Sequence, residues 1–133
     1  MKLLLASGAI LGFVSVAFGA YSEHGLKPNV TAEDFRFLMT AVRYNQINSA
    51  VICSIGLFIL IDNTTSNKLF KISGLTFLAG TVLFSFSIYL SILLNISSIQ
   101  YLTPVGGITL MAAWLLLLVA GLKYKNPASQ RAD

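Results

Sequence analysis

Charge is what this sequence has least of. Only 11% of its 133 residues are Asp, Glu, Lys or Arg, against roughly 25% in an ordinary soluble domain. With 56% of residues hydrophobic and a mean hydropathy of +0.78, that deficit excludes a soluble globular domain and a disordered chain alike. Cysteine occurs once, at Cys53, so there is no disulfide framework. Histidine also occurs once, at His24, and no group of His, Cys, Asp and Glu has metal-ligand spacing. No phosphate loop, nucleophile elbow or paired-carboxylate motif is present. The chain is therefore expected to have no catalytic residues, cofactor or metal, and not to be an enzyme. Its net charge of +4 does not argue for nucleic acid, because in an apolar chain a basic excess follows membrane topology.

What the sequence does have is long apolar runs. A helix crossing about 30 Å of hydrocarbon needs about 20 mostly apolar residues. Four stretches qualify: residues 3–20, 41–61, 72–94 and 101–122, followed by a polar tail at 123–133. Unpaired backbone groups are costly in lipid, so each is expected to be helical. The fold class expected is an all-α, integral membrane four-helix bundle, one domain over residues 1–133. Residues 21–30, with Gly25 and Pro28, suggest a turn. Thr31 and Asp34 resemble a capping box. Phe35, Leu38, Met39 and Val42 then suggest an amphipathic lead-in lying at the interface. Residues 62–68 form a polar loop and 95–100 a short uncharged one. Thr103-Pro104 suits a helix start, with Thr as the cap.

Lysine and arginine set the orientation. Lys2, Lys68, Lys71, Lys123, Lys125 and Arg131 fall on the side of the termini, and Lys27, Arg36 and Arg43 on the other. Both termini are thus expected on the cytoplasmic side. Residues 1–20 also carry features of a cleaved signal peptide: Lys2, then small residues around Ala17-Phe18-Gly19-Ala20. Against cleavage stand an apolar run longer than the usual h-region and a GxxxG helix-packing motif at Gly8 and Gly12.

The polar residues within the spans gather towards one side. The second span starts there with Arg43, Tyr44, Asn45, Gln46 and Asn48. The third ends there with Ser85, Ser87, Tyr89 and Ser91, and the fourth begins with Thr103, Pro104, Gly106, Gly107 and Thr109. His24 follows the first span on the same side. By i, i+4 spacing, Asn45 faces with Ser49, Tyr44 with Asn48, and Ser85 with Tyr89. Such groups serve either as hydrogen-bonding glue between helices or as the lining of a small polar cavity. Arg43 has a stem long enough to snorkel to the interface. Cys53 suits a small apolar filler, and Gly74, Gly80, Gly106 and Gly107 suit close helix packing. Trp114, well inside its span, suits packing too, unless its N–H finds a partner across the bundle.

These pieces resemble the small membrane proteins of the YgdD and YwdK type, which include transmembrane protein 256 and are grouped as domain of unknown function 423. The resemblance rests on Ala17-Phe18-Gly19-Ala20, His24-Gly25-Leu26-Lys27, Tyr44-Asn45 with Asn48, and Gly80. Further along come Phe84-Ser85-Phe86-Ser87-Ile88-Tyr89, Thr103-Pro104-Val105-Gly106-Gly107 and Trp114. It implies an uncleaved four-helix integral membrane protein and no particular activity. This chain departs from the family pattern where Tyr21-Ser22-Glu23 separates Gly-Ala from His24. It also has Asn48 in place of a usual His and Phe86 in place of a usual Gly.

The leading functional expectation is a non-catalytic interaction or membrane-support protein of the bacterial inner (plasma) membrane. Its partners are the lipid bilayer and either a membrane protein or a second copy of the chain, met through the GxxxG and other small-residue surfaces. The alternative is a small-solute or ion pathway built on the polar half. A third reading, an enzyme using His24 with Glu23, has least in its favour.

Overall fold

The computed structural model describes residues 2–62 and 68–124, and within them every regular element is helical. The chain forms α1 (Lys2–Tyr21), α2 (Ala32–Ile61), α3 (Lys68–Thr81), α4 (Ser87–Leu94) and α5 (Leu102–Lys123). A π-helical turn, Val82–Phe86, joins α3 to α4 without a break, so the two make one rod. Four rods are thus long and apolar enough to cross a membrane: Lys2–Asn29, Ala32–Ile61, Lys68–Leu94 and Ser97–Lys123. Most of the polar loop expected at 62–68, the end of the tail, Lys125 and Arg131 lie outside the described residues.

The rods run up and down. At one end the start of α1 meets the end of α2 and the start of α3, because Leu4 and Leu5 lie over Gly74 and Gly56. Phe58, Phe70 and Tyr124 form an aromatic cluster at the same end. There the Tyr124 hydroxyl donates to Asp62 Oδ2 at 2.7 Å. At the other end Phe18 stacks on Tyr89. Helices α2 and α3–α4 form the inner pair; α1 packs mainly on α2, and α5 mainly on α3 and its π turn.

Several boundaries differ from those the sequence suggests. Residues 21–30 are mostly helical: a π turn at Ser22–Leu26 and a 3₁₀ turn at Lys27–Asn29 extend α1 before the chain reverses. Gly25 permits this, since a Cβ there would meet the Tyr21 ring at 2.9 Å. A Lys27–Glu23 ion pair at 2.8 Å spans the same turn. Thr31 does cap the helix, its Oγ1 accepting from Asp34 N–H at 3.1 Å, while the Asp34 carboxylate reaches back to the Thr31 hydroxyl at 2.7 Å and not to its backbone N–H as in a full capping box. The helix it opens is a single rod of 30 residues, about 45 Å long, which outruns about 30 Å of hydrocarbon. No separate interfacial lead-in exists. Leu38 and Val42 are buried against Ile88 and Tyr89, so the amphipathic face turns to the bundle and not to lipid.

Asn95 ends α4 in the left-handed conformation (φ 55°), donating its N–H to Ile92 and Ser91 carbonyls. Asparagine tolerates this region better than most non-glycine residues. After a 3₁₀ turn at Ser97–Tyr101, α5 begins at Leu102 with no side-chain cap. Thr103 therefore does not cap α5. Its hydroxyl is turned across to α4 instead, 2.7 Å from Ser87 Oγ.

Candidate functional site

The polar residues of the inner rods are placed by the π turn at Val82–Phe86. An extra residue in one helical turn displaces the side chains after it, and such turns recur at functional sites. Here Ser85 Oγ donates to the Ala41 carbonyl of α2 at 3.0 Å. Ser87, on the opposite face, meets Thr103 of α5. Gly106 lies directly against the backbone of Leu83 and Phe84, so closely that no Cβ fits. The Phe-Ser-x-Ser-x-Tyr and Thr-Pro-x-Gly-Gly segments are therefore two halves of one helix joint. A second joint nearer the other end has Ser73 Oγ donating to the Ala113 carbonyl at 3.0 Å.

Several polar side chains at the Tyr89 end and in the middle of the bundle are buried. Asn45, Asn48, Ser22 and Tyr89 are all nearly or wholly inaccessible. Among the described residues, both amide atoms of Asn45, Nδ2 of Asn48, Oγ of Ser22 and the Tyr89 hydroxyl have no hydrogen bond of full geometry. The Tyr89 ring stacks on Phe18 with centroids 4.0 Å apart, and its hydroxyl faces the side chain of Asn45. Buried polar groups normally have partners, so these four residues, on α2, on α4 and in the turn after α1, are the least satisfied of the described bundle.

Not all of the expected residues are buried with Asn45 and Tyr89. Arg43, Tyr44 and Gln46 point out of the bundle, Tyr44 with its ring 4.8 Å from that of Phe84. Arg43 and Gln46 line an open groove of about 350 Å³ between α1 and α2, together with Glu23 and His24. Glu23 is held by Lys27, not by His24. Thr103, Pro104 and Gly107 border a shallow apolar pocket of about 280 Å³ with Phe37, Phe84 and Ile88. Cys53 packs on α1, its Sγ 3.8 Å from the Leu5 carbonyl. Trp114 meets Phe77 edge-on at 5.0 Å and is half-exposed.

The GxxxG motif corrects an expectation. Gly8 and Gly12 face Ile52, Cys53 and Ser49 of α2, and a Cβ at Gly8 would lie 2.8 Å from Cys53 Sγ. Close approach of two backbones is what such a motif permits, and the helix approached belongs to the same chain. That surface is closed to a partner.

Sequence reasoning missed a polar cavity of about 510 Å³ between the two connections at the Tyr89 end. Asn29, Thr31, Asp34, Ser91, Asn95 and Gln100 line it. Its signal was present, as the turn region at 21–30 and the uncharged loop at 95–100 on one side, but only the reversal of the chain over Val30 and Thr31 brings them together. Leu38, Ile88 and neighbouring apolar residues stand between it and the buried Asn45. Ser22 was passed over as a turn residue because the π turn that buries it has no sequence signature. Among the described residues no three His, Cys, Asp or Glu side chains form a metal-binding group.

Four apolar membrane-length rods, joined by serine and glycine contacts, define a four-helix integral membrane protein. The family model described as Protein of unknown function (DUF423) matches residues 18–107, and the chain belongs to that family. The matched segment runs from Phe18, the stacking partner of Tyr89, to Gly107 beside the π joint. Among its relatives, the UPF0382 membrane protein YwdK of Bacillus subtilis is 31% identical, covering 93% of this chain and 99% of that protein. The UPF0382 inner membrane protein YgdD of Escherichia coli is 34% identical, covering 94% and 93%. The UPF0382 membrane protein SH2409 of Staphylococcus haemolyticus is 33% identical, covering 93% and 98%. No solved structure matches. The chain is a small integral membrane protein, as the names of these bacterial relatives describe them.

Proposed function

We propose that this protein acts without catalysis, as a membrane-support protein that associates laterally with a second membrane protein or a second copy of itself. One observation carries this reading. The polar and small-residue motifs mostly pack on one another inside the bundle, at Ser85–Ala41, Ser87–Thr103, Gly106–Phe84 and Gly8–Cys53. What the outer helices turn outward is apolar: Ile10 and Phe13 on α1, and Ile108, Met111, Leu115 and Leu118 on α5. In lipid such faces have no hydrophobic drive of their own, so association rests on shape and packing. The chain acts as one four-helix domain over residues 1–133, with both termini in the cytoplasm.

Native mass spectrometry of gently extracted protein tests this. A discrete added mass, lost when Phe13→Ala or Leu115→Ala is introduced, is the expected result. A Gly8→Leu, Gly12→Leu pair should instead impair folding of the single chain. Bare monomer under every extraction condition would overturn the reading.

A second reading, a pathway for small neutral solutes, is favoured by one observation only: the unpartnered amides and hydroxyls at Asn45, Asn48 and Tyr89. Solute flux into vesicles carrying the protein should then fall in Asn45→Leu. Flux equal to that of empty vesicles would remove it.

A further inference from the structure

We propose that the groove between α1 and α2 at the Tyr89 end is a binding site for one anionic, glycerol-headed membrane phospholipid, with Arg43 holding its phosphate.

The cations at this end of the bundle are not equivalent. Lys27 is paired with Glu23 at 2.8 Å, and Arg36 with Glu33 at 3.8 Å. Arg43 has no carboxylate partner among the described residues. It lines a groove of about 350 Å³ whose other polar walls are His24, Gln46 and the already paired Glu23. The remaining walls are apolar or small, including Val16, Ala20 and Met39. A planar guanidinium matches two phosphate oxygens at once.

Depth identifies the source of the phosphate as lipid. The 18 steps from Arg43 to Ile61, the end of α2, rise about 27 Å. The 18 steps from Lys2 to Ala20 along α1 rise the same distance, and hydrocarbon is about 30 Å thick. Arg43 and Ala20 thus stand at the hydrocarbon boundary opposite Ile61 and Lys2. Glu23 and His24 lie one turn further out, in the headgroup layer, while Val16 lies one turn inward beside the acyl chains. On its α1 wall the groove runs from apolar Val16 inward to polar Glu23 and His24 outward, with Arg43 facing it at the boundary, which is the polarity of a phospholipid.

Charge selects the headgroup. Glu23 and Lys27 neutralise each other, leaving the single charge of Arg43 to face the single negative charge of a phosphodiester. An ethanolamine or choline amine would need a free carboxylate, and the only one in the groove is occupied. A glycerol headgroup needs only a hydrogen-bonding neighbour, which His24 supplies in the headgroup layer, while Gln46, one turn inward, stands nearer the ester carbonyls.

The test is native mass spectrometry and thermal melting of the delipidated full-length protein in detergent, titrated with phosphatidylglycerol or phosphatidylethanolamine. One phosphatidylglycerol per chain is expected, bound about tenfold more tightly than phosphatidylethanolamine and raising Tm. Arg43→Gln should weaken it about tenfold, whereas Arg36→Gln, at an exposed and already paired cation, should stay within about twofold. Val16→Trp, which fills the groove and keeps the guanidinium, should also abolish binding and guards against misfolding of the Arg43 variant. The proposal is overturned if Arg43→Gln binds as the parent does, if Arg36→Gln loses as much, or if the two lipids bind equally. Displacement of the lipid by inorganic phosphate would also overturn it, since a soluble ion would then be the occupant.

Discussion

The hydroxyls of Ser87 and Thr103 stand 2.7 Å apart across α4 and α5. Each comes from a different sequence motif, and together they tie the π turn of one rod to the first turn of the next. A hydrogen bond of this kind within a membrane contributes about 0.6 kcal/mol on average and up to about 1.7. Ser87→Ala and Thr103→Val should each destabilise the protein within that range. Their double variant should lose less than the sum, because either single change already removes the bond. Reversible unfolding in mixed micelles measures all three.

Two adjacent glycines in α5 should behave differently. A Cβ at Gly106 would collide with the backbone of Leu83 and Phe84, whereas at Gly107 it would meet only the Phe84 ring, at 3.9 Å. Backbone cannot step aside as a side chain can. Gly106→Ala should therefore cost about 1–3 kcal/mol, and Gly107→Ala should be neutral or gain up to about 1 kcal/mol from helix propensity. Equal melting temperatures for the two variants would contradict the close contact at the π turn.

Asn45 is wholly buried, and neither of its amide atoms has a hydrogen bond of full geometry among the described residues. Removing an unsatisfied polar group and keeping its bulk relieves a desolvation penalty of about 1–3 kcal/mol. Asn45→Leu should accordingly unfold at higher denaturant than the parent. A loss of stability would mean that the amide is satisfied in the folded protein, by the Tyr89 hydroxyl beside it or by a bound molecule.

At the opposite end, the hydrogen bond to Asp62 raises the Tyr124 pKa above its ordinary value of 10.0, with burial and the Asp62 charge acting in the same direction. The neutral phenol donates and the phenolate cannot. The stabilisation is therefore fully present below pH 10 and is lost as pH rises through the folded-state value. Melting temperature should fall over that alkaline range in the parent and fall less in Tyr124→Phe. Identical profiles would remove the Asp62 contact as a source of stability.

Much of the fold is legible in the chain because lipid demands internally paired backbone and a minimum apolar length. The runs ending near Ala20, Ile61, Leu94 and Leu122 satisfy both, so the number of rods follows from composition alone. The Thr31 cap is equally local, needing only Asp34 three residues on. Family membership was also readable, from segments whose order and spacing are specific.

Other features depend on which helix meets which. Gly8 and Gly12 have the same spacing whether they face a neighbouring molecule or their own α2, and only the position of Cys53 and Ser49 decides it. The polar residues after the first turn of α2 look alike in sequence. Rotation of the helix buries Asn45 and Asn48 and turns Arg43 and Gln46 outward, because neighbours three or four residues apart share a face and adjacent ones do not. The π turns at Ser22–Leu26 and Val82–Phe86 change that phase within a single rod. Sequence by itself thus determined a four-helix membrane protein with its polar groups towards one end. Tertiary packing alone decided which of those groups are buried together, which are tied across helices, and which line the lipid-facing groove, since side-chain direction around a helix acquires meaning only against a neighbour.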